Sequence, residues 1–438
     1  MIYNYYQIID QIYHSEWVSK RLARFKNFQS VLEQIWPKGH PTKIIQVAGT
    51  NGKGSTVKFL ESGFTLTGST GSFTNPHLFD FKERFSINGK NPEEIEIIDI
   101  WEKEILPIII RQAGENTEHI LYFSEICILI ALKLFEYHQV EWGIMETGCG
   151  GRYERLTQLP AEGAVVTNVG EDHPLSLGEK SWQRALDKAG ICRREKPFFT
   201  SEMNPLHLDI FKETCTKFNS PLIKLDTGDI NNIKSFVEKN QSSLHPDNLL
   251  FNAPHQLKNA ALSLKVLTYF YPHLDRLKVI HQFIQLKYLG RFTKFDRQVF
   301  IDIAHNQDKI QALVTTIKAT YPHHQKYFLI GLSNNRSALK VLPPVVEIAD
   351  KIVLTSASHR GVDPQIIKQE LSAWEKGCKD IEVITDPRKA YHYLKSCLTP
   401  HSLLFVTGSA YMIDQAVNPD QFLSYLNYSY GWRNNQKQ

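Results

Sequence analysis

The sequence predicts an α/β protein with two domains: a mainly parallel sheet domain that contains a P-loop, followed by a smaller Rossmann-like α/β domain. Short apolar runs alternate with segments of helical periodicity, as in parallel strands joined by helical crossovers. This alternation starts near residue 44 and begins a second time near residue 297. With 438 residues the chain is too long for one ordinary hydrophobic core, so we expect domains at 1–288 and 289–438.

The elements of the first domain follow from periodicity and from glycine and proline breaks. Residues 5–36 have apolar residues at helical spacing and end at Pro37. After the loop near residue 50, helical spacing resumes over 56–66 and stops at Gly68. The elements predicted next are a strand over 71–74, an apolar helix over 120–137, and strands over 142–145 and 163–169. The polar stretch 226–250 is expected to be a surface excursion of this domain.

The second domain shows the same alternation on a smaller scale. Its predicted strands cover residues 298–303, 327–331, 351–355, 382–385 and 402–407, with helical segments between them. The predicted hinge is the segment 287–292. Because ligands of open α/β sheets bind beyond the carboxyl ends of the strands, we expect functional residues at those ends.

Composition narrows the function classes. A formal net charge of +4 is small for so long a chain and argues against a nucleic-acid partner. No apolar run reaches the length of a membrane span and no apolar signal core follows Met1, so we expect a cytoplasmic protein without a membrane partner. The cysteines form no Cys-x-x-Cys pair and are typical of reduced thiols: Cys127, Cys149, Cys192, Cys215, Cys378 and Cys397.

The most informative stretch is the sequence Ile-Ile-Gln-Val-Ala-Gly-Thr-Asn-Gly-Lys-Gly-Ser at residues 44–55. Its apolar half predicts a buried strand, and its glycines permit a tight turn into a helix. The turn points backbone N–H groups, the Lys53 ammonium and the Ser55 hydroxyl at one small volume, which suits an oligophosphate with magnesium. The alternative is a glycine turn that joins strand to helix and binds nothing.

Further motifs accompany this loop in a fixed order. They are Thr-Asn-Pro-His-Leu at 74–78, Glu83-Arg84, Glu-Thr-Gly-Cys-Gly-Gly-Arg at 146–152, Asp172-His173, Lys-Ala-Gly-Ile at 188–191, Gln256-x-x-Asn259, Gly290-Arg291, Asp-x-Ala-His-Asn at 302–306 and Thr-Gly-Ser at 407–409. Together they resemble folylpolyglutamate synthase and dihydrofolate synthase, which belong to the Mur ligase superfamily. The resemblance implies Mur ligase architecture and a monomeric, ATP- and Mg2+-dependent ligase. That ligase would join L-glutamate to dihydropteroate, folate or both through an acyl phosphate.

The resemblance also implies roles for single residues. The ATP-binding set would be Gly49, Thr50, Asn51, Gly52, Lys53, Gly54, Ser55, Asn259, Arg291 and Asp302, and the metal ligands Ser55, Asn75, Glu146 and His173. Lys53, a carbamylated Lys188 and His305 would be catalytic, and His305 and Ser409 would contact glutamate. The pterin set would be Phe123, Glu125, Tyr153, Glu154 and Arg155.

Several of these residues have simpler interpretations. Glu146 could be a strand-end carboxylate that caps the next turn, and His173 a capping or solvated residue. An isolated lysine such as Lys188 is usually a solvated charge, and His305 and Ser409 could be ordinary turn residues at strand ends.

The chain also departs from the family pattern. Asn75 stands where the family usually has serine, and Tyr-Glu-Arg-Leu-Thr at 153–157 replaces Leu-Asp-Ala-Thr-Asn. The rival functions are a Mur-type ligase of a cell-wall precursor and a non-catalytic nucleotide-binding descendant. The intact Glu146 and His173 argue against the second.

Overall fold

The structure is a computed structural model, and it describes residues 5, 8, 9, 12, 21–115, 121–240, 249–333, 336–372 and 380–418. Part of the helix predicted over 5–36, part of the stretch 226–250 and Cys378 lie outside the described residues. The chain divides into two compact units. The first consists of Met1–Asn75, Phe81–Glu238 and Lys258–Ile284, and the second of Pro76–Asp80, Lys239–Leu257 and Gln285–Gln438.

Within the described residues, the first unit holds a seven-stranded sheet in the order β3-β2-β4-β1-β5-β6-β7. The strands are β1 Lys43–Ala48, β2 Thr70–Phe73, β3 Phe85–Ile87, β4 Trp142–Glu146, β5 Gly163–Val166, β6 Phe198–Thr200 and β7 Leu222–Lys224. Only the β2–β3 pair of this sheet is antiparallel among the described strand pairs. Strand β1 is central, and after the exposed Lys43 its residues are all buried and apolar except for Gln46, as in a parallel sheet that helices cover on both faces.

The helices of the first unit connect these strands. They are α1 Arg21–Ile35, α2 Lys53–Phe64, α3 Glu94–Ile100, α4 Leu106–Glu115, α5 Phe123–Tyr137, α6 Pro174–Leu177, α7 Ser181–Ala189, α8 Pro205–Lys217, α9 Thr227–Lys239, α10 Pro254–Phe270 and α11 Arg276–Gln285. Residues Trp101–Ile105 form a π-helical turn between α3 and α4. Helix α10 begins in the second unit and continues into the first. None of the helices in the described part of the chain is both long and apolar enough to cross a membrane.

The second unit holds a six-stranded sheet in the order β12-β11-β10-β13-β9-β8, again counted over the described residues. The strands are β8 Thr293–Asp296, β9 Val299–Asp302, β10 Gln325–Ile330, β11 Lys351–Leu354, β12 Ile381–Val383 and β13 Ser402–Thr407. The connecting helices are α12 Gln307–Thr320, α13 Ala338–Val341, α14 Pro343–Val346, α15 Pro364–Ser372, α16 Pro387–Ser396 and α17 Ala410–Val417. Two hydrophobic clusters cover the two faces of this sheet.

The α/β class and the alternation of strands and helices are confirmed, while details differ from the sequence prediction. Strands β3, β6, β7 and β8 were not predicted, because each is only three or four residues long and carries little periodicity. The strand predicted over 163–169 ends at Val166. The predicted excursion 226–250 contains helix α9, and the segment Lys239–Leu257 clusters with the second unit and not with the first.

Candidate active site

The phosphate loop lies between the end of β1 at Ala48 and the start of α2 at Lys53. Gly49 has φ 148° and Gly52 has φ 83°, backbone conformations that residues with a side chain rarely adopt. A Cβ atom on Gly49 would lie 1.8 Å from Thr167 Oγ1, and one on Gly52 would lie 2.5 Å from Asn259 Oδ1. The two glycines are therefore needed for both conformation and space, and Asn259, a predicted ATP ligand, lies at the loop.

Hydrogen bonds from the segment after β5 hold the loop in shape. Thr50 N donates to Asn168 O at 3.0 Å, and Asn51 N donates to Asn168 Oδ1 at 2.9 Å. Gly170 N donates to Thr50 Oγ1 at 2.9 Å, and Thr167 Oγ1 donates to Asn51 O at 2.6 Å. The backbone amides of Thr50 and Asn51, which were predicted to bind phosphate, thus donate hydrogen bonds within the protein and stabilise the loop. The amides at the start of α2, where the helix dipole favours an anion, stay predicted phosphate ligands.

Lys53 and Glu146 lie side by side at the carboxyl edge of the sheet. Parallel pairing sets Val47 of β1 opposite Glu146, the last residue of β4. Lys53 Nζ donates to Gly49 O at 3.0 Å and lies 4.0 Å from Glu146 Oε1. The Glu146 carboxylate is buried at 3% exposure, and its Oε2 accepts a hydrogen bond from Asn75 N at 2.9 Å. The structure therefore brings together an ammonium, which suits a phosphate group, and a buried carboxylate, which suits a hard cation.

Asn75 is engaged in a contact that the sequence did not reveal. Its side-chain Oδ1 accepts a hydrogen bond from the Arg84 guanidinium. That guanidinium lies 4.9 Å from the ring centre of Phe123 and 5.9 Å from that of Phe81, in cation–π geometry. A metal ion at Asn75 Oδ1 would compete with Arg84, so the metal role of Asn75 stays a prediction.

Lys188 of α7 is buried at 1% exposure. Burial, with the nearby Lys53 charge as the next cause, lowers the pKa of its amine to about 8, while the charge of Asp187 acts in the opposite direction. The turn Gly150–Arg152 packs directly on this helix, since Gly151 N donates to Asp187 Oδ2 at 2.7 Å and a Cβ on Gly151 would meet Asp187 O at 2.7 Å. The geometry presents an amine that can be neutral near physiological pH, which the predicted carbamylation requires.

The predicted metal ligands are only partly gathered in the structure. Ser55 is buried in the first turn of α2, whereas the His173 side chain is 48% exposed, with Nε2 3.9 Å from Asp172 Oδ1. Among the described residues, no group of three or more His, Cys, Asp or Glu side chains could hold a metal ion. Magnesium, however, binds through one or two carboxylates completed by substrate phosphates and water. The donors Ser55 and Glu146 fit that pattern, and His173 stays a predicted ligand.

The predicted pterin residues form internal pairs. Arg155 Nε donates to Glu125 Oε1 at 3.1 Å, and Glu125 is buried at 1% exposure. Glu154 Oε1 accepts from Cys149 N at 2.8 Å, while Tyr153 is exposed. The charged side chains of Arg155 and Glu154 therefore bond to neighbouring parts of the protein and stabilise the loop that contains them. The role of this segment in binding the acceptor stays a prediction.

A buried network that the sequence did not indicate supports the same segment. Gln46 Nε2 donates to Leu156 O and to Leu159 O, the latter at 3.3 Å. Arg193 NH2 donates to Gln46 Oε1 at 3.0 Å and to Thr157 O at 2.8 Å. The only available signal was a single polar residue inside the apolar strand β1.

In the second unit, the predicted residues cluster at the ends of β9 and β13. Asp302 Oδ2 accepts from Phe292 N at 2.8 Å and Asp302 Oδ1 accepts from Ala304 N at 2.8 Å. Burial raises the pKa of Asp302, with the charge of Arg291 acting against it. The Arg291 guanidinium lies 4.8 Å from the ring centre of Tyr288. Asp302 thus orders the backbone on both sides of β9, and its ribose-binding role stays a prediction.

His305 and Ser409 lie on adjacent segments of this edge, because Gly408 N donates to Ala304 O at 2.9 Å. The Ser409 hydroxyl is buried and has no hydrogen-bond partner within the described residues. His305 contacts Lys309, whose Nζ lies 3.1 Å from Nε2 of the ring. The contact of Lys309 with His305 was not predicted from the sequence, in which the only signal was the position of a lysine four residues after the histidine.

Comparisons with known proteins identify what this architecture is similar to. Residues 290–410 match the family model described as "Mur ligase, glutamate ligase domain". The chain is 30% identical to dihydrofolate synthase/folylpolyglutamate synthase of Buchnera aphidicola subsp. Acyrthosiphon pisum over 76% of this chain and 79% of that protein. It is 26% identical to the enzyme of that name from Bacillus subtilis, over 90% of this chain and 94% of the relative.

A likeness to a solved structure supports the fold. The bifunctional folylpolyglutamate synthase/dihydrofolate synthase of Yersinia pestis, complexed with AMPPNP and a manganese ion, superimposes with a TM-score of 0.75. It is 23% identical, and the match covers 92% of this chain and 94% of that one. The Mur ligase architecture implied by the sequence is therefore confirmed.

Proposed function

The chain belongs to the dihydrofolate synthase/folylpolyglutamate synthase family, and we propose that it is an ATP-dependent ligase that joins L-glutamate to a dihydropteroate or folate carboxylate. The observation that carries this function is the pair of Lys53 and Glu146 at the mouth of the glycine turn. An ammonium held by a loop carbonyl and a buried carboxylate 4.0 Å away form the polar pair that a nucleotide triphosphate with its cation requires.

The chemistry follows from the poor reactivity of a carboxylate. ATP transfers its γ-phosphoryl group to an acceptor carboxylate oxygen, which gives an acyl phosphate and ADP. The glutamate amine then attacks the acyl carbon, the C–O bond to phosphate breaks, and an amide and inorganic phosphate result. Because both reactants of the first step are anions, the enzyme's contribution is charge neutralisation and alignment. Lys53 and the amides at the start of α2 supply that contribution here.

Magnesium is the cofactor that this family and the Yersinia pestis complex with manganese support. Ser55, Glu146 and His173 would hold it, and it would neutralise phosphate charge. We propose that Lys188 carries a carbamate, which would convert a buried cation into an anion. Its burial and its lowered pKa support this proposal, because only the neutral amine reacts with carbon dioxide.

We further propose that the enzyme acts in the cytoplasm as a monomer. Five cysteines of the described residues, Cys127, Cys149, Cys192, Cys215 and Cys397, carry free thiols, which accords with a reducing compartment. Gel filtration with light scattering would test the monomer, and a dimer mass would contradict it.

The central test removes the phosphate-binding ammonium. We expect Lys53→Ala to abolish ADP release with dihydropteroate and glutamate while the unfolding temperature stays unchanged, because Lys53 is not part of the hydrophobic core. Lys43→Ala, at the exposed opposite end of β1, is the matched control and should keep full activity. Near-normal ligation by Lys53→Ala would contradict the proposed function.

A substrate panel separates the remaining alternatives. The purified protein is incubated with ATP, glutamate and either dihydropteroate or tetrahydrofolate, or with ATP and a UDP-muramyl substrate, and the products are identified by mass. Glutamyl products from the first two acceptors establish the folate branch and its preference. Turnover of the UDP-muramyl substrate alone would establish the Mur-type alternative.

A further inference from the structure

Cys192 and Cys215 form a pair of buried thiols outside the residues of the candidate active site. Cys192 lies just after the end of α7, and Cys215 lies in α8. Each is 3% exposed, and both belong to one hydrophobic cluster that also includes residues of β5 and β6. Both thiols are free, and their side chains are hydrogen-bonded to each other. The two sulfur atoms are therefore neighbours before any covalent bond joins them.

Hydrogen bonds between the two segments that carry these cysteines keep the sulfur atoms together. Glu195 N donates to Phe218 O at 3.0 Å, and these two residues each lie three positions after one of the cysteines. Ser220 Oγ donates to Lys196 O at 2.5 Å, and Ser220 N donates to Cys215 O at 2.9 Å. The pairing of the thiols thus follows from the fold of the backbone, so a covalent bond between them needs only a local shift.

The surroundings give the two sulfur atoms different roles. The hydrogen bond from Cys215 lowers the pKa of the Cys192 thiol, with burial acting against it. A hydrogen bond with Ser220 and the charge of Arg193 lower this pKa further. The same bond between the cysteines raises the pKa of Cys215. Cys192 therefore supplies the thiolate, the form that reacts with an oxidant, and Cys215 is a neighbouring thiol that can resolve the oxidised sulfur.

We propose that Cys192 and Cys215 form a reversible disulfide when the protein meets a hydroperoxide, and that this disulfide lowers the ligase activity. The Cys192 thiolate attacks one oxygen of hydrogen peroxide, the O–O bond breaks, and a sulfenic acid and hydroxide result. The Cys215 sulfur then attacks the Cys192 sulfur, the S–O bond breaks and the S–S bond forms. With the two thiol protons, the departing oxygens become two water molecules. The cysteines lose two electrons, which the peroxide gains, and an added dithiol reverses the change by thiol–disulfide exchange.

The residue after Cys192 connects this pair to the segment 153–157. Arg193 NH1 donates to Cys192 O at 3.1 Å. Its NH2 donates to Gln46 Oε1 at 3.0 Å and to Thr157 O at 2.8 Å. An S–S bond is about 2.05 Å long, whereas hydrogen-bonded atoms are about 2.5–3.2 Å apart or more, so the two sulfur atoms must move towards each other. A shift of Cys192 towards α8 therefore strains the hydrogen bonds that hold this segment.

The residues before Cys192 connect the pair to the glycine turn 148–151. A Cβ atom on Gly190 would lie 2.4 Å from Arg152 Cα, so the end of α7 packs directly on the residue that follows this turn. Lys188 lies in the last turn of the same helix. A displacement at Cys192 is thus transmitted to both sides of the candidate active site. The effect on activity rests on the proposed function, whereas formation of the disulfide does not.

Peptide mapping of the oxidised protein tests the disulfide. The reduced protein is treated with hydrogen peroxide, the remaining thiols are alkylated, and tryptic peptides are identified by mass. Trypsin releases residues 189–193 and 213–217, and each of these peptides contains one cysteine. We expect the two peptides to be linked, with a mass two hydrogen atoms below their sum, and to separate after treatment with dithiothreitol. Full alkylation of both cysteines after oxidation, or linkage of either one to another cysteine, overturns the proposal.

The ligase assay, run on the same samples, tests the effect on activity. We expect activity to fall in proportion to the fraction of linked peptide and to return with dithiothreitol. Cys192→Ser and Cys215→Ser should each keep their activity in peroxide, whereas Cys397→Ser, the control in the second unit, should lose it as the unmodified protein does. Thermal unfolding checks each variant, and alanine replaces serine at a position where the serine variant unfolds.

Two results overturn the effect on activity while the disulfide stands. One is unchanged ligation by the linked protein, and the other is an equal loss in Cys192→Ser, which assigns the loss to a different thiol. Absence of glutamate-dependent ADP release by the reduced, unmodified protein overturns the proposed function itself. The peptide map still decides the disulfide in that case.

Discussion

Lys188 offers the sharpest prediction, because its burial has a consequence for stability that can be separated from catalysis. The perturbation is Lys188→Met, which removes the charge and keeps an unbranched side chain. Burial lowers the pKa of Lys188 from 10.5 to about 8 in the folded protein. At pH 7 the folded chain must carry a buried ammonium that the unfolded chain solvates freely. The difference in pKa corresponds to a cost of about 3 kcal/mol at pH 7, of which about 1 kcal/mol remains at pH 9.5.

The sign follows from proton binding. Between pH 8 and 10.5 the unfolded chain binds a proton at Lys188 that the folded chain has released, so the free energy of unfolding rises with pH across this window. The methionine variant lacks this contribution. We therefore expect the unmodified protein to gain about 2 kcal/mol relative to Lys188→Met between pH 7 and 9.5. Packing differences between the two side chains are the same at both pH values and cancel in this comparison.

The assay is urea unfolding of both proteins at pH 7 and 9.5 in buffer freed of carbon dioxide, so that no carbamate forms. Lys180→Met, at an exposed position just before the same helix, is the control for the removal of a lysine side chain without the loss of burial. A difference near zero, or one of opposite sign, would show that burial does not hold the Lys188 amine close to neutrality. At pH 8 about half of such an amine is neutral, against about 0.3% at the ordinary pKa, which is why carbamylation is feasible here.

The phosphate loop, the segment 153–157 and the metal site can each be tested by substitution. Gly49→Ala places a Cβ 1.8 Å from a threonine hydroxyl, so we expect loss of ADP binding by calorimetry. Gly39→Ala, also at positive φ but with no atom within 4 Å, should retain it. Glu125→Ala leaves the Arg155 guanidinium unpaired beside a buried cavity and should cost about 3–5 kcal/mol in urea unfolding. The double change with Arg155→Ala should recover part of that cost, and an additive loss would contradict the pairing. Asn75→Ala tests the predicted metal role of Asn75: a rise of about tenfold in the magnesium concentration for half-maximal activity would establish Asn75 as a ligand, and a change within about twofold would contradict that role and leave its carbonyl oxygen to Arg84.

Much of the fold was readable from the sequence because its signals are local. Apolar runs with glycine breaks marked β1, β4 and the strands of the second unit, and the Gly-x-x-Gly-Lys-Gly-Ser pattern marked the phosphate loop. The short strands β3, β6, β7 and β8 escaped prediction, since a run of three or four residues gives only a weak signal of period. The sequence also did not predict that the stretch 226–250 is divided between the two units at Lys239. The unit against which a segment packs depends on distant parts of the chain and not on local sequence.

The candidate site likewise has features that local sequence indicates and features that depend on the folded structure. The family, the order of the motifs, and the positions of Lys53 at a helix start and Glu146 at a strand end could be read from the sequence, whereas Lys188 proved to lie in the last turn of α7. The hydrogen bond from Arg84 to the Asn75 carbonyl oxygen and the contact of Lys309 with His305 become visible only in the folded chain. Likewise, the lowered pKa of Lys188 exists only once the chain has folded around it. The physical reason is that hydrogen-bond partners and loss of solvent are set by strand order and packing between distant segments, which no spacing along the chain encodes.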